Sequence, residues 1–120
     1  MKTPIQYALT WPHRAAGCSR AMDWRSLSRL DFEQPDPRRF PALALAYRVI
    51  EAGGTSGAIL NAANEQAVGA FLERRIPFGR IVELSAAALD AIAPVPVRDL
   101  QAVLEADAAA RAFVRSRIDR

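Results

Sequence analysis

A chain of 120 residues with 51% apolar and 24% charged side chains has the composition of one globular domain, or of a smaller domain with an attached arm, rather than of a disordered protein. No apolar run approaches the roughly 18 residues of a spanning helix, and Lys2 is not followed by the apolar stretch of a secretory signal, so neither membrane insertion nor export is expected. The net charge of +3 is carried by arginines, with Lys2 the only lysine, scattered over every segment rather than gathered on one face among stacking aromatics, so no nucleic-acid partner is expected.

In chain order, Thr3-Pro4-Ile5-Gln6 reads as a helix start, with Thr3 as cap and Pro4 in the first turn. Pro12 stops this helix after barely two turns, too short to be stable unless it leans on something else. Residues 12–39 have no helical period, and one short strand is expected over Arg29 to Glu33. His13 and Cys18, the only histidine and cysteine, lie in this stretch. No further soft ligand exists to complete a metal site, no disulfide can form within the chain, and a lone thiol fits a reducing cytoplasm.

From Phe40 the pattern sharpens. Pro41 suits the first turn of a helix running to about Ala52, with Leu43, Tyr47 and Ile50 on one face, and Gly53-Gly54 ends it. The run Gly53-Gly54-Thr55-Ser56-Gly57 resembles a phosphate cradle only superficially. A dinucleotide loop follows a strand, whereas a helix precedes these glycines, so they read as a cap and a turn.

The stretch from Gly57 to Phe78 is the central helix, with Ala63, Ala67, Ala70 and Phe71 at helical spacing and Pro77 preventing a simple continuation. Asn61, Asn64 and Glu65 form a polar cluster within it. They fit either a carboxamide–carboxylate ligand site or a structural role with Asn61 as helix cap, and the preference of asparagine for caps favours the second. A further helix is expected over Arg80 to Ile92 with Ile81, Leu84, Ala88 and Ile92 inward, ended by Pro94 and Pro96. Asp99 can cap a turn containing Leu100, Val103 and Leu104. Asp107 then caps a last helix from Ala108 to about Ile118, with Ala109, Ala112 and Phe113 inward. Arg111 and Arg115 are explained by its negative C-terminal end.

The fold class is therefore mainly α: a C-terminal antiparallel bundle of four to five helices over residues 40–120, closed by the Leu43, Tyr47 and Ile50 face, Ala63, Ala67, Phe71, Ile81, Leu84, Ile92, Leu104 and Phe113. It carries an irregular N-terminal arm over residues 1–39, one short helix and one short strand. The arm's Ile5, Leu9, Trp11, Trp24, Leu27, Leu30 and Phe32 follow no pattern that buries them together. No catalytic, cofactor-binding or metal residue is picked out by any motif.

Four segments, KTPIQYALTWPHR, LDFEQPDPRRFPALALAYRVIEAGG, LNAANEQAVGAFLERRIPF and LEADAAARAFVRSRI, make nearly the whole chain resemble the C-terminal part of the 1-deoxy-D-xylulose 5-phosphate reductoisomerase family. That resemblance implies a place in non-mevalonate isoprenoid biosynthesis: NADPH and magnesium or manganese serve the full-length enzyme, which makes 2-C-methyl-D-erythritol 4-phosphate as a homodimer. It implies that catalytic and NADPH-binding domains lie upstream, that residues 1–39 are an arm from the end of the catalytic domain, and that 40–120 brace that domain without reacting groups of their own. Asn61, Asn64 and Glu65 then help hold the fold. The other reading is a free-standing helical module that binds a protein partner without catalysis.

Overall fold

The computed structural model describes residues 2–17, 19–26 and 29–118, and among them forms five helices and no strand. These are α1 (Lys2–Thr10), α2 (Ala42–Ala52), α3 (Ser56–Leu72), α4 (Arg80–Ala91) and α5 (Leu100–Ile118). The chain divides into two compact units, 1–34 and 35–120. Cys18, Leu27 and Ser28 lie outside the described residues.

The first unit is built on α1. Thr3 is inside this helix rather than its cap, and its hydroxyl pairs with that of Ser19 at 3.0 Å. Gln6 donates from Nε2 to the Ala16 carbonyl at 2.6 Å, and Arg14 stacks over the Tyr7 ring at 4.5 Å. Polar bonds and ring contacts thus hold the return of the chain along α1. No described residue of this unit is buried, and Ile5, Leu9, Trp11, Trp24, Leu30 and Phe32 lie exposed. The strand expected at Arg29 to Glu33 is absent: the segment is coil. An isolated strand has unpaired backbone groups on both edges, and no second strand exists among the described residues to satisfy them.

In the second unit α3 is the hub, packing against α2, α4 and α5. Its core positions are small, Ala62, Ala63, Ala67 and Ala70, with Ile59 the one large side chain fully enclosed on that helix. Alanines let the neighbouring helices come close, and Ile81 and Leu84 from α4 and Val114 from α5 fill the remaining space. At the end of α3, Arg74 adopts a left-handed conformation (φ 61°). The N–H of Arg75 reaches back to the Ala70 carbonyl and that of Arg74 to Phe71, each at 2.9 Å, the paired bonds that close a helix C-terminus.

Three expected features are corrected here. Leu43, Tyr47 and Ile50 do not enter the core: they are exposed, and Leu45 is the buried residue of α2, with Val49 half-buried. The helix reads ALALAYRVIEA, apolar nearly all round, so its period alone allows either stripe inward. The last helix starts not at Ala108 but at Leu100, capped by Asp99, whose Oδ1 accepts the Ala102 N–H at 2.8 Å. That longer helix turns Ala106, Ala110 and Val114 inward and leaves Leu104, Ala109 and Ala112 exposed. Finally, α3 begins at Ser56, which puts Asn61 well inside the helix, where its backbone N–H already has a helical partner and no cap is needed.

Candidate functional site

The turn between α2 and α3 has the most constrained backbone in the second unit. Gly53 (φ 62°, ψ −154°) ends α2 with its N–H on the Val49 carbonyl, and Gly54 (φ 54°) follows, also at positive φ. The Thr55 N–H donates to the Val95 carbonyl at 2.9 Å, and the Thr55 Oγ1 accepts the Val95 N–H at 3.0 Å. Ser56, buried beside it, donates its hydroxyl toward the Gly53 and Val49 carbonyls, and its N–H bonds Gly53. Phosphate binding at a glycine turn needs free amides pointing at the ligand. Here those of Thr55 and Ser56 already hold the connection between α4 and α5 and the end of α2.

The polar cluster of α3 divides between two neighbours. Glu65 turns toward α5, where its Oε2 accepts from Arg111 at 2.6 Å, while Asn61 donates to its Oε1 at 3.2 Å. The same guanidinium holds Asp107, one turn earlier on α5, through Nε at 2.7 Å, and the next turn adds Arg115 donating to Gln66 at 3.2 Å. Asp107 is thus a mid-helix partner of Arg111 rather than a cap, and Arg111 and Arg115 tie α5 to α3 rather than merely answering the end of a helix. Arg111 holds both carboxyl groups below the ordinary carboxylate range, and the two carboxylates hold the guanidinium firmly protonated.

Because the folded-state pKa values are lowered, this seam stabilises fully above the ordinary carboxylate values, about 4. Its contribution falls away as the pH drops through that range toward the lowered values. The groups are partly exposed, so solvent screening keeps the effect small. Arg111→Met is expected to lose less thermal stability than the unaltered chain between pH 7 and pH 3. Parallel midpoints across that range would show that the seam does not titrate with folding.

Asn61 and Asn64 line a groove of about 480 Å³ between α2, α3 and α4, floored by Leu45, Val49, Leu60 and Val82. It is an apolar furrow with carboxamides at its rim. Among the described residues no group of three or more His, Cys, Asp or Glu side chains could hold a metal ion. His13 lies exposed in the first unit. Site and seam together hold helices in register and present an apolar surface.

A family model for the DXP reductoisomerase C-terminal domain matches residues 1–113. The chain belongs to this family. It is 49% identical to the 1-deoxy-D-xylulose 5-phosphate reductoisomerase of Aromatoleum aromaticum over 98% of its own length and 29% of that protein's. It is 46% identical to that of Nitrosococcus oceani over 100% and 30%. Among solved structures, the reductoisomerase from Zymomonas mobilis in complex with NADPH superposes with a TM-score of 0.83 at 39% identity, covering 98% of this chain and 31% of that one. A DOX-P reductoisomerase in complex with magnesium gives 0.79 at 31% identity, again over 98% of this chain. The chain therefore spans about 30% of the length of the reductoisomerases it matches, and the mainly helical C-terminal part is the portion it corresponds to.

Proposed function

We propose that this chain serves as the C-terminal helical domain of a 1-deoxy-D-xylulose 5-phosphate reductoisomerase, the NADPH- and metal-dependent enzyme that makes 2-C-methyl-D-erythritol 4-phosphate, and that it braces the catalytic part rather than supplying reacting groups. The observation that carries this reading is the match itself, continuous over 98% of the chain at 49% identity to one such enzyme. In this reading residues 1–39 form an arm continuing from the catalytic domain and 40–120 form the bracing bundle. In this reading the enzyme works in the cytoplasm as a homodimer.

Neither the glycine turn nor the Glu65–Arg111–Asp107 seam fits NADPH or a divalent cation. The amides of Thr55 and Ser56 at the glycine turn are engaged, and Glu65 and Asp107 are neutralised by Arg111. No step of the reaction is therefore assigned to a residue of this chain, and Asn61, Asn64 and Glu65 are given structural work.

The test is a chimera in which these 120 residues replace the matching segment of the Aromatoleum enzyme. It is expected to oxidise NADPH in the presence of 1-deoxy-D-xylulose 5-phosphate and magnesium at a rate within about tenfold of the parent, a barrier change under about 1.4 kcal/mol. The chain alone is expected to show no such turnover. A folded chimera without activity, or turnover by the chain alone, overturns the reading.

A further inference from the structure

Helix α2 is held to the bundle by little. Only Leu45 is buried on its inner side, at 9% exposure, while Leu43 (48%), Tyr47 (69%) and Ile50 (75%) form a stripe that faces solvent. A helix of 11 residues is not stable in water by itself, so an apolar stripe opposite so modest an anchor calls for a second surface. The groove floored by Leu45 and Val82 runs along the flank of the same helix, and Asn64 at its rim has a carboxamide with no partner among the described residues. The nearest cation on α2, Arg48, is neutralised by Asp90 of α4 at 2.7 Å. What remains is an apolar patch with one free amide and the exposed Glu51 carboxylate at its end, suited to an apolar protein surface and not to a nucleic acid or an anionic ligand.

We infer that the outer face of α2, with the adjoining groove, is the seat on which an apolar surface of the catalytic part of the same reductoisomerase polypeptide rests. This depends on the function proposed above. The size of the patch selects this occupant over a second copy. A helix of 11 residues is about 16 Å long and about 10 Å wide, so even a well-fitted pairing of two such faces buries well under about 1,000 Å² in total, less than a stable dimer of independent chains needs. A covalently joined neighbour meets the patch at an effective concentration in the millimolar range, where a small apolar contact is enough. The relatives extend over more than three times the length matched here, and so carry the chain from which such a neighbour comes.

Amide exchange of the segment 42–52 separates the possibilities when followed in the 120-residue chain and in the Aromatoleum chimera. Exchange is expected to be at least tenfold slower in the chimera, and Tyr47→Glu is expected to abolish that slowing. The same substitution in the 120-residue chain is expected to leave the unfolding midpoint nearly unchanged, because the side chain is exposed there. Equal exchange in chimera and chain overturns the inference, as does slow exchange in the chain alone that grows with its concentration, which identifies a second copy as the occupant. Exchange is read whether or not the chimera turns over. Loss of activity thus rejects the functional reading, and unchanged exchange rejects this one.

Discussion

Gly54→Ala is expected to destabilise the second unit by about 3–5 kcal/mol, from three effects acting together. The position has φ 54°, a conformation that costs an L side chain about 1–2 kcal/mol. A Cβ built there meets the Val95 carbonyl oxygen at 2.4 Å and its carbon at 3.1 Å. Those atoms are backbone and cannot rotate away. Relief requires moving the segment around Val95, which breaks the two bonds it makes with Thr55, each worth about 1 kcal/mol. At Gly53 nothing lies within 4 Å of the new atom, so Gly53→Ala pays only a conformational cost, which at φ 62° and ψ −154° is about 1–3 kcal/mol. Denaturant unfolding followed by helical circular dichroism measures both. If Gly54→Ala costs no more than about 1–2 kcal/mol, the conformational cost alone, the contact with Val95 is not what fixes this turn. Since domains are typically stable by only about 5–15 kcal/mol, the Gly54 variant is expected to be partly unfolded at 37 °C.

Leu84→Ala should cost about 3–5 kcal/mol, the upper part of the range for such truncations. Leu84 is 2% exposed and sits in a cluster whose other members are mostly alanine. A cavity is relieved when neighbouring side chains lean into it, and alanine has no torsion with which to lean. The space stays empty and its lining loses its dispersion contacts. Leu43→Ala removes the same atoms from an exposed site and is expected to change stability by under about 1 kcal/mol. Comparable losses at the two positions would contradict the assignment of inner and outer faces.

The helix boundaries that could be read in advance are those set by local chemistry. Pro41 and Gly53 bracket α2, and Gly79 and Pro94 bracket α4, because proline and glycine act through the backbone of their own neighbourhood. What could not be read depends on residues far apart in the chain. Asp107 and Arg111 are four residues apart and their pairing is visible in the sequence, a signal that a reading of Asp107 as a cap overlooks. The Glu65–Arg111 bond spans 46 residues and exists only because α3 and α5 lie side by side. The inward face of α2 was assigned to the wrong stripe for a different reason: with apolar residues nearly all round, both stripes satisfy the same period, and only the presence of α3 and α4 beneath Leu45 chooses between them. The groove is likewise a product of how three helices cross, which no single helix specifies. Asn61 was displaced from its expected role because α3 runs from Ser56, more than a turn before it, where the Ser56 hydroxyl reaches back to α2.

The predominance of alanine in the core has a consequence for how α3 and α5 find each other. Alanine has no rotamers to freeze, so bringing these faces together costs no side-chain entropy, and the interface can close quickly and tightly. For the same reason it has few teeth beyond Ile59 and Val114. Sliding α5 along α3 by one turn would again set many methyl groups against methyl groups, with Val114 the main side chain displaced. The guanidinium of Arg111 does not tolerate that slip, since it would leave Glu65 behind, and neither does Arg115 with Gln66. A pair of arginines at the edge of a mostly alanine seam thus acts as a vernier, reading off the one alignment in which every tick meets its mark.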